Sequence, residues 1–164
     1  MIILNPGDFY FGNCRSQLKT LLGSCVAITA WHPKLRIGGM CHFLLPSSTD
    51  KSMTPLNGRY ADDAIELFMA ELQRTQTQPK EYQVKLFGGG IMFPQLAKNG
   101  AMAIGSRNIQ AARWLLKQKG FKIDSEHVGE EGHRSIILDL DTGATLLRWQ
   151  KPDQQLPNAF NMQP

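Results

Sequence analysis

Two short apolar runs joined by a glycine-containing connection constrain the fold of this chain most strongly. Residues 26–31 and 40–45 are too short for helices and contain β-branched or aromatic side chains, so each run predicts a buried strand. The segment between them contains Pro33 and the pair Gly38-Gly39, which predicts a turn. We therefore expect two neighbouring strands at the centre of a sheet.

A cysteine and a histidine on these two segments are the candidate reactive groups. Cys25 follows the small pair Gly23-Ser24 at the start of the first strand, and His42 lies in the second. Pairing of the strands would bring the thiol and the imidazole together, but the sequence does not fix the register. An imidazole that takes the thiol proton leaves a thiolate nucleophile in an ion pair. The backbone N–H groups of Gly23-Ser24 are suited to an oxyanion hole. The alternative is that Cys25 is a small buried hydrophobic residue.

The rest of the chain predicts two helices and further strands. Apolar residues at helical spacing predict helices at 60–74 and from 104 to about 119. Ser106 or Asn108 is expected to cap the second helix at its N-terminus, and Gly120 to end it. The other predicted strands lie in residues 1–12, as an irregular or edge strand, and at 82–87, 121–127, 135–140 and 144–149, the last two as a hairpin.

These elements predict the fold class. Two main helices and about seven short strands make an α/β (α+β) layered single domain, with a sheet-rich core and the helices packed outside. The triple glycine Gly88-Gly89-Gly90 follows a strand and lacks the pattern of a phosphate loop, so it predicts close packing of the backbone. The domain is expected to span residues 1–150, and the Pro/Gln/Asn-rich segment 151–164 to be a disordered tail.

Length and charge narrow the class of protein. A chain of 164 residues suits one domain with a sizeable core. It has no apolar run near the roughly 20 residues that span a bilayer, and the first residues lack the basic region of a signal peptide, so we expect a cytoplasmic protein that is not inserted in a membrane. The net charge of +4 is dispersed, which argues against nucleic-acid binding. A monomer is the default expectation.

The remaining cysteines and histidines have simple structural interpretations. Three cysteines cannot all pair within one chain, so Cys14 and Cys41 are expected to be structural thiols. Cys41 and His42 are adjacent in a predicted strand and point to opposite faces, which argues against a shared metal ion. His32 is expected to face solvent in a turn, and His127 and His133 are given no catalytic role.

A series of short sequence blocks runs in order through most of the chain. The blocks are residues 22–27, 38–46, 60–62, 87–90 with 92–93, 104–108, 132–135, 142–143 and 146–148. In this order they resemble the CheD family, the chemoreceptor glutamine deamidases of bacterial chemotaxis. The resemblance implies a sheet-rich core with outer helices, an arrangement shared with toxin deamidases that modify host glutamines.

The resemblance also implies a reaction and its residues. Cys25 attacks the carboxamide of a receptor glutamine, and His42 acts as general base and acid, so that the glutamine becomes glutamate through a thioester. Glutamyl methylester hydrolysis is a secondary activity of the same kind, and no cofactor or metal is needed. The family uses a threonine upstream of the cysteine to orient the histidine. Thr20 is the candidate, but some members carry that threonine one residue earlier, where this chain has Lys19. Thr20 as an ordinary strand residue stays open.

Two other functions remain as alternatives at this point. CheD-like proteins bind the chemotaxis phosphatase CheC as well as receptor helices, so the chain is also interpretable as an adaptor without activity. The retained pair of Cys25 and His42 favours an enzyme, because an adaptor needs no nucleophile. A cysteine hydrolase of another substrate class, such as a peptidase, would be expected to use an Asn or Asp partner for its histidine, and the sequence offers no assigned candidate.

Overall fold

A computed structural model describes residues 1–13, 15–50, 55–94 and 103–152 of the chain. Within these ranges it contains two helices, α1 (Ala61–Thr75) and α2 (Ile104–Gln118), and a short 3-10 helix (Pro79–Glu81). The strands are β1 (Ile2–Ile3), β2 (Phe9–Asn13), β3 (Gln17–Leu22), β4 (Val26–His32), β5 (Ile37–Phe43), β6 (Gln83–Gly88), β7 (Ile123–Val128), β8 (His133–Asp139) and β9 (Thr145–Gln150).

The strands form two sheets. The four-stranded sheet has the order β1-β3-β8-β9, and the five-stranded sheet has the order β2-β5-β4-β6-β7. Most neighbours are antiparallel, whereas β1 with β3 and β6 with β7 are parallel. The predicted α+β class is confirmed. Nine strands are described rather than about seven, because the first segment supplies β1 and β2 separately and Gln17–Leu22 forms a strand of its own.

Two apolar clusters separate three layers. One cluster lies between the two sheets and the other between the five-stranded sheet and the helices. The first includes Leu18, Leu22, Ile136 and Leu138 from the four-stranded sheet with Ala27, Trp31, Met40 and Phe87 from the other. The second joins Val26, Ile28, Cys41 and Phe43 to Ala64, Ile65, Phe68, Leu72, Ala112 and Leu116 of the helices. The helices therefore lie on the outside of the sheets, as predicted.

Strand β4 is buried along its whole length, because the five-stranded sheet is covered on both faces. A strand in this position has a continuous apolar sequence. The apolar run of β4 therefore predicted a buried strand. The predicted neighbour relation with β5 is confirmed as an antiparallel pair. The predicted turn was wrong in one respect, since Gly38 and Gly39 lie within β5 and not in the connection. A Cβ on Gly39 would meet the backbone oxygen of Tyr10 on β2, so the glycines permit close approach of the strands.

The predicted boundaries of the helices hold, but the predicted cap does not. Helix α2 begins at Ile104 with Ala103 as its N-cap, and no side chain caps it. Ser106 and Asn108 lie inside the first turns, and Asn108 is fully buried. Gly120 follows the helix with a φ of 88°, as expected for the residue that ends it. The expected tail falls, from residue 153 on, outside the described residues. None of the helices in the described ranges is both long and apolar enough to span a bilayer.

Candidate active site

The register of β4 and β5 brings the two candidate reactive residues to one face of the sheet. Ala27 lies directly opposite His42, and opposite residues of an antiparallel pair direct their side chains to the same side. Cys25 lies two residues before Ala27, immediately ahead of the strand, and packs against the same cluster between the sheets. Cys25 is partly exposed, whereas His42 is only 1% exposed. Part of Cys25 is therefore accessible to solvent, whereas the imidazole of His42 is enclosed.

The imidazole of His42 is held by the facing sheet. Its Nδ1 lies 2.7 Å from Oγ1 of Thr20, a buried residue of β3. The same hydroxyl donates to the carbonyl oxygen of Leu4 at 2.7 Å. Lys19, the neighbouring position considered from the sequence, lines a cavity on the outer face of the four-stranded sheet with Leu146 and Arg148. Of the two positions, it is Thr20 that meets the histidine.

These two hydrogen bonds define the tautomer of His42. A hydroxyl has a single proton, and that of Thr20 is donated to a carbonyl oxygen, which can only accept. Oγ1 of Thr20 must therefore accept a hydrogen bond from Nδ1–H of His42. The proton of the neutral ring is on Nδ1, and Nε2 carries a lone pair. Nε2 is buried and has no hydrogen-bond partner among the described residues, so it is free to accept a proton.

Burial sets the protonation states of both groups. It lowers the pKa of His42 to about 4, although the charge of Asp8 and the nearby backbone carbonyl of Leu4 act in the opposite direction. Burial also raises the pKa of the Cys25 thiol, and the backbone N–H of the same residue partly offsets this effect. Both shifts favour the uncharged thiol and the uncharged imidazole near neutral pH in the absence of substrate.

The backbone around Cys25 is fixed by the glycine segment that follows β6. The carbonyl oxygen of Cys25 accepts a hydrogen bond from the N–H of Gly89 at 2.8 Å, and that of Gly23 accepts one from Gly90 at 2.9 Å. A Cβ on Gly88 would lie 2.2 Å from the carbonyl oxygen of Cys25. The triple glycine thus has the close-packing role predicted from the sequence.

The side chains of two further residues contribute to the surroundings of the site. The sulfur of Met92 would lie 3.0 Å from a Cβ on Gly23, so Met92 packs beside the cysteine segment. The buried guanidinium of Arg134 donates to Nδ1 of His127 at 2.8 Å and to the carbonyl oxygens of Gly88 and Gly129. It therefore joins β8 to the C-terminal ends of the parallel strands β6 and β7. The sequence predicted a role for neither Met92 nor Arg134.

Cys41 and His32 lie away from this arrangement. Cys41 is buried on the helix-facing side of β5, where burial raises the pKa of its thiol to about 12. Cys14 is outside the described residues. The expectation for His32 was wrong, because this ring is only 4% exposed, accepts a hydrogen bond from the N–H of Leu35 and packs edge-on against Tyr82. Among the described residues, His, Cys, Asp and Glu form no cluster suited to a metal ion.

The fold and this site together define an α+β protein with a cysteine, a histidine and a threonine gathered where two sheets meet. The family model described as CheD chemotactic sensory transduction matches residues 44–149. The chain belongs to the CheD family.

Relatives match nearly the whole chain. A protein of Pseudomonas syringae pv. syringae named probable chemoreceptor glutamine deamidase CheD is 48% identical over 150 residues, which cover 91% of this chain and 84% of the relative. A relative from Dechloromonas aromatica, probable chemoreceptor glutamine deamidase CheD 3, is 42% identical over 159 residues and covers 96% and 93% of the two chains.

One solved structure has a weaker likeness. The crystal structure of Bacillus licheniformis hypothetical protein YfiH aligns with a TM-score of 0.45 and 12% sequence identity. The alignment covers 73% of this chain and 49% of the other. This likeness is too weak to establish a shared fold.

Proposed function

We propose that this protein is a chemoreceptor glutamine deamidase. It hydrolyses the carboxamide of selected glutamines in the cytoplasmic helices of methyl-accepting chemotaxis receptors, which gives glutamate and ammonia. The names of relatives at 42–48% identity support the substrate class. The observation that carries the chemistry is the contact of Thr20 with Nδ1 of His42, because it leaves Nε2 of His42 as a base on the face shared with Cys25.

The first half of the reaction forms a thioester. Nε2 of His42 takes the proton from the Cys25 thiol as the sulfur attacks the carboxamide carbon. Because both groups are neutral at rest, the proton moves during the attack instead of beforehand. The backbone N–H groups of the Gly23–Cys25 segment stabilise the oxyanion that develops. His42 then gives its proton to the leaving nitrogen, and ammonia departs.

The second half of the reaction regenerates the enzyme. His42 takes a proton from a water molecule as the water oxygen attacks the thioester carbon. The C–S bond breaks, the sulfur takes the proton back from His42, and the glutamate side chain is released. A glutamyl methyl ester presents the same carbonyl carbon with methanol as the leaving group, so methylester hydrolysis is a minor activity of the same site.

Thr20 keeps the imidazole in the tautomer that both halves require. Its hydroxyl accepts from Nδ1–H of His42 and stabilises the imidazolium that forms when Nε2 is protonated. The activity needs no metal or organic cofactor. The protein works in the cytoplasm as a monomer, and association with a CheC-type phosphatase is a further part of the proposal.

The function is tested with a purified receptor cytoplasmic fragment. The protein is incubated with the fragment, and peptides are analysed by mass spectrometry for a gain of about one dalton at a glutamine. We expect modification of a small set of glutamines and release of an equal amount of ammonia. Binding of the fragment without either product would instead support the adaptor, and the absence of both would reject the receptor as substrate.

A further inference from the structure

Asn108 of α2 is a buried polar residue that reaches the backbone on both sides of the site. Its side chain is inaccessible to solvent. Nδ2 donates to the carbonyl oxygen of Ser24 at 3.3 Å and to that of Leu44 at 2.8 Å. Because both partners are carbonyl oxygens, which only accept, the amide orientation is determined. Ser24 is adjacent to Cys25, and Leu44 follows His42 by two positions.

These bonds lie just past the point where the ladder between the two strands ends. The last pair of β4 and β5 is Val26 with Phe43. Past that pair, the N–H groups of Leu44 and Leu45 donate to the carbonyl oxygen of Arg59 at 2.8 and 3.1 Å. The segment that contains Cys25 instead pairs with the glycines that follow β6, since Gly89 donates to the carbonyl oxygen of Cys25. The amide of Asn108 therefore joins two backbone segments that separate at the site.

The bond to Ser24 also bears on the N–H group of the nucleophile. The carbonyl of Ser24 and the N–H of Cys25 belong to one planar peptide unit and point in opposite directions. The N–H of Cys25 acts to lower the pKa of the thiol of the same residue. A hydrogen bond that fixes the carbonyl thus also fixes the direction of the N–H, and it polarises that N–H as a donor to a developing oxyanion.

We propose that Asn108 is a positioning residue that holds the Ser24–Cys25 peptide so that the thiol and its own N–H stay aligned with His42. The proposal rests on the deamidase function for its kinetic consequence. Its structural consequence, the environment of the Cys25 sulfur, does not depend on any substrate. Asn108 acts through the backbone and does not itself contact the reacting atoms.

Three variants separate this role from general stability. Asn108→Ala removes both donated hydrogen bonds, and Asn108→Asp keeps the shape but donates at most one bond, and only when protonated. Leu116→Ala is the matched control, because Leu116 is equally buried, lies about two turns further along the same helix and packs in the apolar cluster without a polar contact to the backbone. Each variant is assayed for deamidation of the receptor fragment under conditions where circular dichroism shows that it is folded.

The second readout is alkylation of Cys25 by iodoacetamide across a range of pH. Mass spectrometry of the peptide that contains Cys25 separates it from the other cysteines. For Asn108→Ala we expect kcat to fall about 10-fold or more with KM changed less than about threefold. We also expect the alkylation midpoint of Cys25 to move to higher pH, because a displaced N–H of Cys25 stabilises the thiolate less. Asn108→Asp should move both readouts in the same direction, and Leu116→Ala should move neither.

The outcomes distinguish this proposal from the proposed function. If the wild-type protein deamidates nothing, the function is rejected, and the alkylation profile still decides the role of Asn108. The role is overturned if Asn108→Ala and Asn108→Asp keep the wild-type alkylation profile. If the wild-type protein is active, kcat of both variants must also stay within about twofold of wild type for this outcome. It is also overturned if Leu116→Ala reproduces both changes. If Asn108→Ala does not fold, Asn108→Asp against Leu116→Ala gives the same decision.

Discussion

The hydroxyl of Thr20 in one sheet lies 2.7 Å from Nδ1 of His42 in the other sheet. The contact therefore spans the interface between the two sheets, and the orientation of the imidazole depends on how the sheets pack. Since Thr20 also donates to the carbonyl of Leu4, the hydroxyl is fixed as an acceptor for the ring. Packing between the layers and the chemistry of the site are coupled at this one hydrogen bond.

Removal of that hydroxyl is predicted to reduce turnover more than binding. Thr20→Val keeps a similar volume but cannot accept from Nδ1–H of His42, so the Nδ1–H tautomer loses part of its stabilisation. We expect kcat for deamidation to fall by at least about 10-fold with a smaller change in KM. Thr20→Ser retains the hydroxyl and is the control, expected to keep most of the activity. Equal loss in both variants would show that the hydroxyl is not the relevant group.

The resting thiol is predicted to be uncharged near neutral pH. Burial raises the pKa of Cys25 and lowers that of His42 to about 4, so neither group stabilises a charge on the other before substrate binds. The measurement is the absorbance of thiolate near 240 nm, as the difference between wild type and Cys25→Ala from about pH 5 to about pH 8. We expect no step in this range. A step with a midpoint below about pH 7 would instead establish a preformed ion pair.

Stability is predicted to depend on pH through His42. Its pKa is about 4 in the folded protein and near the ordinary 6.5 when unfolded. Between these values the unfolded chain binds the proton and the folded chain does not. The contribution of His42 to the free energy of unfolding is therefore at its full value above about pH 6.5 and is lost as the pH falls towards 4. From pH 7 to pH 5 it should lower the free energy of unfolding by about 2 kcal/mol.

Urea unfolding at the two pH values measures this contribution. His42→Gln removes the titrating group, so the variant should lack the corresponding part of the pH dependence. Other groups titrate in the same range and contribute equally to both proteins, which makes the difference between the two curves the informative quantity. Parallel curves for wild type and His42→Gln would contradict the assignment of a depressed pKa to this residue.

Substitution of Gly88 by alanine is predicted to destabilise the protein. This residue has a φ of 105°, and a Cβ there would lie 2.2 Å from the carbonyl oxygen of Cys25. Gly129 has a φ of 73° with nothing within 4 Å of a Cβ, so Gly129→Ala measures backbone strain alone, about 1–2 kcal/mol. Gly88→Ala should cost about 2 kcal/mol more and also reduce kcat, because the clash is with the cysteine backbone. Similar unfolding energies for the two variants would contradict the close approach.

Local sequence patterns predicted the helices and strands well, but they predicted the surroundings of single residues less well. The apolar runs predicted β4 and β5 because a strand covered on both faces has a continuous apolar sequence. His32 was expected in solvent because it precedes Pro33, but the fold packs it against Tyr82, which is remote in sequence. Such a contact depends on strand order, which a turn motif does not encode.

The candidate site was predictable in part for the same reason. Cys25 immediately precedes β4 and His42 lies in β5, and these strands are consecutive in the chain, so the placement of both residues on one face follows from a local pairing. The partner of His42 comes from the other sheet, and the choice between position 19 and Thr20 depends on which face of β3 turns inward. Asn108 was taken for a helix cap, and its contacts with Ser24 and Leu44 require the packing of α2 on the sheet.

The role of Cys25 as nucleophile is tested by the rate of deamidation at a single receptor glutamine in wild type and in Cys25→Ala. The account predicts a gain of about one dalton at that glutamine with the wild-type protein and none above the uncatalysed background with Cys25→Ala. Cys41→Ala, which alters a buried thiol on the opposite face of the sheet, should retain activity. Deamidation by Cys25→Ala at a rate near that of wild type would contradict the assignment of Cys25 as the nucleophile.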